Sequence, residues 1–153
     1  MADASLAEKK IGLLVWKLSN HWQSKLRKIL KDYKLTLNEY LVLESISDLS
    51  EIQKELSQNE ISIFAGIDIS VASVTFKLLE NKKFIERRTK KDNRKKIVEM
   101  LASGINLYNE VQPFVLKEEL SIFNKLQSDA NNFKNSLKLL LGKRIRIKAE
   151  KIL

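Results

Sequence analysis

The sequence predicts a mainly α-helical chain carrying one small β-hairpin, and three observations predict it. Apolar residues recur at three- and four-residue spacing through most of the 153 residues. One stretch, around residues 84–100, alternates instead like a pair of strands. One Pro and four Gly leave little room for linkers, so a chain that is 44% hydrophobic and 31% charged reads as one continuous folded unit.

The first helix is expected over residues 5–33, where Ile11, Leu14, Val15, Leu18, Trp22, Leu26, Ile29 and Leu30 form a single apolar stripe that must pack on something. Thr36-Leu37-Asn38-Glu39 starts the next helix as a capping box, hydroxyl and carboxylate each satisfying a backbone donor, with Tyr40, Leu43 and Ile46 following. Residues 49–58 are polar, with room for a short helical turn around 51–56. Glu60 to Ala65 reads as a short helix closed by Gly66, and Asp68 and Ser70 offer caps to another, running through Val71, Ala72, Phe76 and Leu79 to about Lys82. Helix, glycine turn, cap and second helix within about 25 residues is the pattern of a helix-turn-helix. The strands that follow, Phe84-Ile85-Glu86-Arg87 and residues 95–100, are joined by a polar basic loop, which makes the hairpin a wing. Helix returns with Ile105, Tyr108, Val111, Val115 and Ile122, which Pro113 should bend, and then with Phe133, Leu137, Leu140 and Leu141 after Ser128-Asp129. The organisation is an N-terminal helix (1–34), a winged helix-turn-helix (35–104) and C-terminal helices (105–153).

The net charge of +9 is concentrated. Residues 1–69 carry 9 basic and 10 acidic side chains, and residues 97–142 carry 4 and 5. Residues 70–96 carry ten basic side chains (Lys77, Lys82, Lys83, Arg87, Arg88, Lys90, Lys91, Arg94, Lys95, Lys96) against Glu80, Glu86 and Asp92. A positive field focused in this way suits a polyphosphate backbone, with a gain from counterion release; a solvated basic face is the plainer alternative. With no cysteine and one histidine, His21, the chain offers no disulfide, no thiolate zinc site and no histidine-based metal or catalytic site. There is no Gly-rich phosphate loop either, so no cofactor is expected and no enzyme. The longest apolar runs, such as residues 11–16, fall short of a membrane span, and a cytoplasmic protein without a membrane partner is expected.

The segment Leu35-Thr36-Leu37-Asn38-Glu39-Tyr40-Leu41-Val42-Leu43, the residues 58–68 and 73–80 that follow it, Phe84-Ile85-Glu86-Arg87, Asp92-Asn93-Arg94 and Gly104 stand in the order and spacing of one family. Over residues 35–104 the chain resembles the MarR family of dimeric winged-helix transcription regulators, most specifically in its Asp-x-Arg wing. The family usually has Gly where Lys83 stands, so Lys83 must either accept a strained backbone or reshape the turn. Met100-Leu101 replaces the family's Leu-Thr, which makes Ser103 the candidate cap of the next helix, and Val74 stands where the family often has Arg.

The resemblance implies a homodimer, joined through the first and last helices, that binds a pseudopalindromic site on double-stranded DNA and regulates transcription, as a repressor in the first instance. The recognition helix would present Ser70, Val71, Ser73, Val74 and Lys77 to the major groove, Val being suited to a thymine methyl; core packing is the other reading of Val71 and Val74. Arg94 is the candidate for minor-groove insertion beside Asn93, with Asp92 orienting it or serving as an ordinary turn residue. Arg88, Lys90, Lys91, Lys95 and Lys96 would grip phosphates. Family members often bind small aromatic or phenolic effectors, for which Trp16, His21, Trp22 and Tyr40 are candidates against plain core packing. The basic tail from Lys143 to Lys151 would add phosphate contacts or pair with a partner chain. The competing function is an architectural nucleic-acid-binding module with neither effector nor sequence preference.

Overall fold

The computed structural model describes residues 9–91 and 95–142. It contains, in order, α1 (Ile11–Asp32), α2 (Leu37–Ser50), β1 (Leu56–Ser57), α3 (Gln58–Ala65), α4 (Ile69–Asn81), β2 (Ile85–Thr89), β3 (Lys96–Met100), α5 (Ala102–Phe123), a 3-10 segment (Asn124–Asp129) and α6 (Ala130–Leu140). The chain divides into two compact units, Met1–Leu116 and Lys117–Leu153, with the boundary inside α5.

The first unit is built on one core. Leu26 and Leu30 of α1, Tyr40, Val42, Leu43 and Ile46 of α2, Ile61 of α3, Phe76 and Leu79 of α4, Ile85 and Val98 of the sheet and Tyr108, Val111 and Val115 of α5 all belong to it. The expected stripe of α1 is therefore only half used: Leu26 and Leu30 are buried, whereas Ile11, Leu14, Val15 and Trp16 are exposed. The helix also starts later than expected, since Lys9 lies in a turn and Lys10 is extended; residues 5–8 fall outside the described residues.

The capping box at α2 forms as expected, the Thr36 amide donating to Glu39 Oε1 (3.0 Å) and the Glu39 amide to Thr36 Oγ1 (3.1 Å). The polar stretch after α2 differs from expectation. Its helical turn goes no further than the end of α2, and Leu56–Ser57 is extended, pairing antiparallel with Val98 and Ile97. The hairpin is thus a three-stranded antiparallel sheet in the order β1-β3-β2. Helix α3 then starts at Gln58, two residues before the expected Glu60, because Ser57 at the cap and Glu60 form a second capping box. β2 begins one residue late and runs on to Thr89, with Ile85 opposite Met100 and Thr89 opposite Lys96.

Three helices end in the same way. Gly66 closes α3 at φ 70°, its amide donating to Ile63 O and that of Ile67 to Ser62 O. This paired motif wants a left-handed residue, which Gly supplies without a Cβ clash. After α1 and α4 the same bonds are made around Lys34 (φ 54°) and Lys83 (φ 63°). Of the two outcomes open to Lys83, the chain keeps the turn and accepts the strained backbone.

Gly104 is required for a different reason, since a Cβ there would collide with the Phe84 carbonyl oxygen and press on Met100. Ser103 does not cap its helix as expected. It lies inside the first turn of α5, and its hydroxyl donates to the Lys83 carbonyl at 2.6 Å, tying α5 to the turn before the wing. α5 passes through Pro113 without ending.

In the second unit, the 3-10 segment is broken at Gln127, and α6 leaves Leu137, Leu139 and Leu140 exposed, as is Leu141 at its end.

Candidate nucleic-acid interface

Helix α4 is amphipathic in the sense required of a recognition helix. Ala72, Thr75, Phe76 and Leu79, at three- and four-residue spacing, are buried against the core. The opposite face is exposed and carries all five expected reading residues, Ser70, Val71, Ser73, Val74 and Lys77. Val74 is 61% exposed and Val71 43%, so neither is a core residue of this unit. The face also carries Ile69 and Leu78, both exposed, which the sequence reading passed over; Leu78 could have been found four residues beyond Val74 on the same stripe. On the preceding helix Ile63 and Phe64 are exposed as well. Asp68 precedes the helix without capping it by its side chain. Its Oδ2 accepts from the Ser70 hydroxyl at 2.7 Å instead.

The basic cluster separates into two groups. Arg87 is committed inside the chain: Nη2 and Nε donate to Glu80 at 2.9 and 3.2 Å, and Nη1 donates to Gln58 at 3.2 Å, joining α4, β2 and α3. The guanidinium hydrogen bond holds the Glu80 carboxyl below the usual carboxylate range. Lys82 is committed too, donating to both oxygens of the buried Glu39 and to the Lys34 carbonyl. Arg88, Lys91, Lys95 and Lys96 are exposed, as is Lys90, whose only carboxylate within reach among the described residues is the half-exposed Glu55 at 3.2 Å. All five face solvent, with Lys90 paired to Glu55 and Lys96 contributing to the field at Glu80. The wing tip, Asp92, Asn93 and Arg94, and the basic tail from Lys143 to Lys151 lie outside the described residues.

The four effector-site candidates are not gathered around one cavity. Trp16 and His21 are exposed on α1, Trp22 packs partly buried on the core, and Tyr40 lies inside it with its ring 5.9 Å from that of Tyr108. A cavity of about 330 Å³ opens instead between α2, the sheet and α5, with Ile46, Leu56, Val98 and Ile105 as apolar wall and Ser47, Ser50, Tyr108 and Asn109 as polar groups. Burial, with the charges of Glu44 and Asp48, pushes the Tyr108 phenol up to about 12. Burial and Glu51 raise the Asp48 carboxyl. Among the described residues no single helix is long and apolar enough to cross a membrane.

Comparison with known proteins agrees with this geometry. The chain is similar to the Bacillus subtilis (strain 168) HTH-type transcriptional regulator YdcH, itself uncharacterized, with 27% identity over 131 residues, covering 85% of this chain and 88% of YdcH. Its fold matches the Staphylococcus aureus MepR–DNA complex with a TM-score of 0.77 at 21% identity, over 88% of this chain and 96% of that one. It also matches a MarR-family regulator from Silicibacter pomeroyi with a TM-score of 0.75 at 18% identity, over 92% and 94%. The family model of the transcriptional regulators SarA/Rot matches residues 24–111, the stretch that runs from the second half of α1 through both capping boxes, α2, α3, α4 and the sheet into the first half of α5. The chain belongs to the SarA/Rot family of DNA-binding transcriptional regulators and is built on the MarR-type winged-helix fold.

Proposed function

We propose that the chain acts as a homodimeric, sequence-specific repressor that places α4 in the major groove of each half of a pseudopalindromic site and the wing against the flanking minor groove. One observation carries this reading: the face of α4 opposite Ala72, Thr75, Phe76 and Leu79 is open, and it holds two hydroxyls, two valines and a lysine. Ser and Lys supply hydrogen bonds and charge, and Val packs on thymine methyls, so sequence would be read with few bidentate bonds. Arg88, Lys90, Lys91, Lys95 and Lys96 would fix register on phosphates, and Arg94 would reach between them. The exposed apolar residues of α1 and of α6 are what a second copy would cover. Selection from random duplex DNA, run with wild type and Val71→Ala/Val74→Ala at one stated salt concentration, tests the reading. An enriched pseudopalindrome whose thymine positions relax in the variant is expected. Equal recovery of all duplexes by both proteins would favour the architectural module instead.

Effector response is a second reading, favoured by the 330 Å³ cavity with its apolar wall and phenol. A small phenolic acid would enter beside Tyr108, and its binding should be lost on filling the wall with Val98→Phe.

A further inference from the structure

A cavity of about 580 Å³ opens where the end of α1 meets the start of α2, and it is lined by Arg27, Lys31, Lys34, Lys82, Thr36 and Glu39 over a floor of Leu35 and Leu37. Four cationic side chains converge there against one carboxylate. Glu39 is already neutralised by Lys82 at 2.7 Å, and among the described residues Arg27, Lys31 and Lys34 pair with no carboxylate. The cluster continues a basic stretch, since residues 9–34 carry eight basic side chains against Asp32 alone, and Arg27, Lys31 and Lys34 are the ones that line this cavity. Arg27 and Lys31 stand four residues apart on one helix, a like-charge spacing that costs stability unless something anionic lies between them. Lys34 stands at the rim in the left-handed position of the turn that ends α1 (φ 54°).

The geometry points to a binding site for a small phosphate-bearing anion in this cavity, of the size of a pyrophosphate or a sugar phosphate. Arg27 supplies a planar fork suited to two phosphate oxygens, Lys31 and Lys34 supply point charges, and the open volume is that of a small-molecule site. The Leu37 and Asn38 amides in the first turn of α2, which have no acceptor among the described residues, add their dipoles to the same field. Backbone phosphates of a duplex share this chemistry. The cavity, however, lies at the Lys82 end of α4, roughly 18 Å along the helix from Ser70, at 1.5 Å per residue. An occupant would touch Lys82, which closes the recognition helix; that regulatory consequence rests on the function proposed above, whereas the binding itself does not.

The test is calorimetric titration of the full chain with inorganic pyrophosphate at constant ionic strength, for wild type, Arg27→Gln/Lys31→Gln and the wing control Arg88→Gln. Saturable binding, weakened about tenfold or more by loss of both charges and within about twofold of wild type in the wing control, is expected. No saturation in wild type overturns the site, and so does weakening by Arg88→Gln with Arg27→Gln/Lys31→Gln unaffected, which would put the anion on the wing. The salt dependence of duplex binding by Arg27→Gln/Lys31→Gln separates the two phosphate sources. An unchanged slope supports the small anion, and a slope lowered by about 0.9 per lost charge assigns these cations to DNA and overturns it. Protein that binds pyrophosphate through Arg27 and Lys31 yet no duplex at all would refute the DNA-reading proposal and leave the site standing.

Discussion

Lys82 Nζ lies 2.7 Å from Glu39 Oε2 and 3.0 Å from Oε1, joining the end of α4 to the first turn of α2. Glu39 is 1% exposed and Lys82 37%, so the carboxylate depends on this cation far more than the cation depends on it. Lys82→Met should therefore cost about 2 kcal/mol, less than for a fully buried pair because solvent still reaches one side. Glu39→Gln keeps an oxygen for the Thr36 amide and should cost about half as much. Urea unfolding of both single variants and the double variant checks this, and a sum of the single losses equal to the double loss would show the two side chains to be uncoupled.

Adjacent arginines should behave differently. Arg87→Ala removes three hydrogen bonds that hold α4, β2 and α3 together and should lower stability by about 1–2 kcal/mol. Arg88→Ala should leave the melting temperature within a degree or two and reduce the slope of log affinity against log salt by about 0.9. Thermal melts and duplex titrations at several salt concentrations distinguish the two; a stability loss at Arg88 would contradict the assignment.

The left-handed lysines give a prediction of the opposite sign. Lys34→Gly and Lys83→Gly should each stabilise the chain by about 0.5–1 kcal/mol, the relieved strain exceeding the added freedom of the unfolded chain. Lys→Ala at the same positions keeps the Cβ and should bring no gain. Gly104→Ala runs the other way and should cost about 2–3 kcal/mol, because its Cβ meets the rigid Phe84 carbonyl.

Tyr108 should be visible in an alkaline titration. Its folded value of about 12 lies above the ordinary 10 from which it is raised, so the folded chain holds the phenolic proton more tightly. The stability this contributes is complete below pH 10 and is lost as the pH rises toward 12. Absorbance of tyrosinate should show a late step near pH 12 that is missing in Tyr108→Phe; a wild-type curve finished by pH 11 would mean the phenol is better hydrated than its surroundings suggest.

Much of this was legible in the sequence because local rules and the final packing agree. Thr36-x-x-Glu39 and Gly66 marked their helix ends with side-chain chemistry, and the spacing of Ala72, Phe76 and Leu79 fixed which face of α4 would be open. The missed features depend on partners distant in sequence. Leu56–Ser57 is too short to show an alternating pattern, and it becomes a strand only because Val98 and Ile97 lie beside it. Nothing local distinguishes Arg87, held by Glu80 and Gln58, from the exposed Arg88. Glu39 was read as a cap, and its second role needed Lys82, 43 positions away.

The sheet order has a consequence for how such a wing can change length. Ile97 and Val98 are bonded on both sides, by β1 and β2, whereas Lys96 has Thr89 alone. The root is clamped and the blade above it is held by one neighbour. Residues added or removed between Thr89 and Lys96 alter only how far the blade extends, leaving Val98 facing inward. A single deletion within Lys96–Met100 would turn Val98 and Glu99 to opposite sides and bring a carboxylate into the core. Reach is thus a separately adjustable property of this architecture, set by the tip and insulated from the packing beneath it.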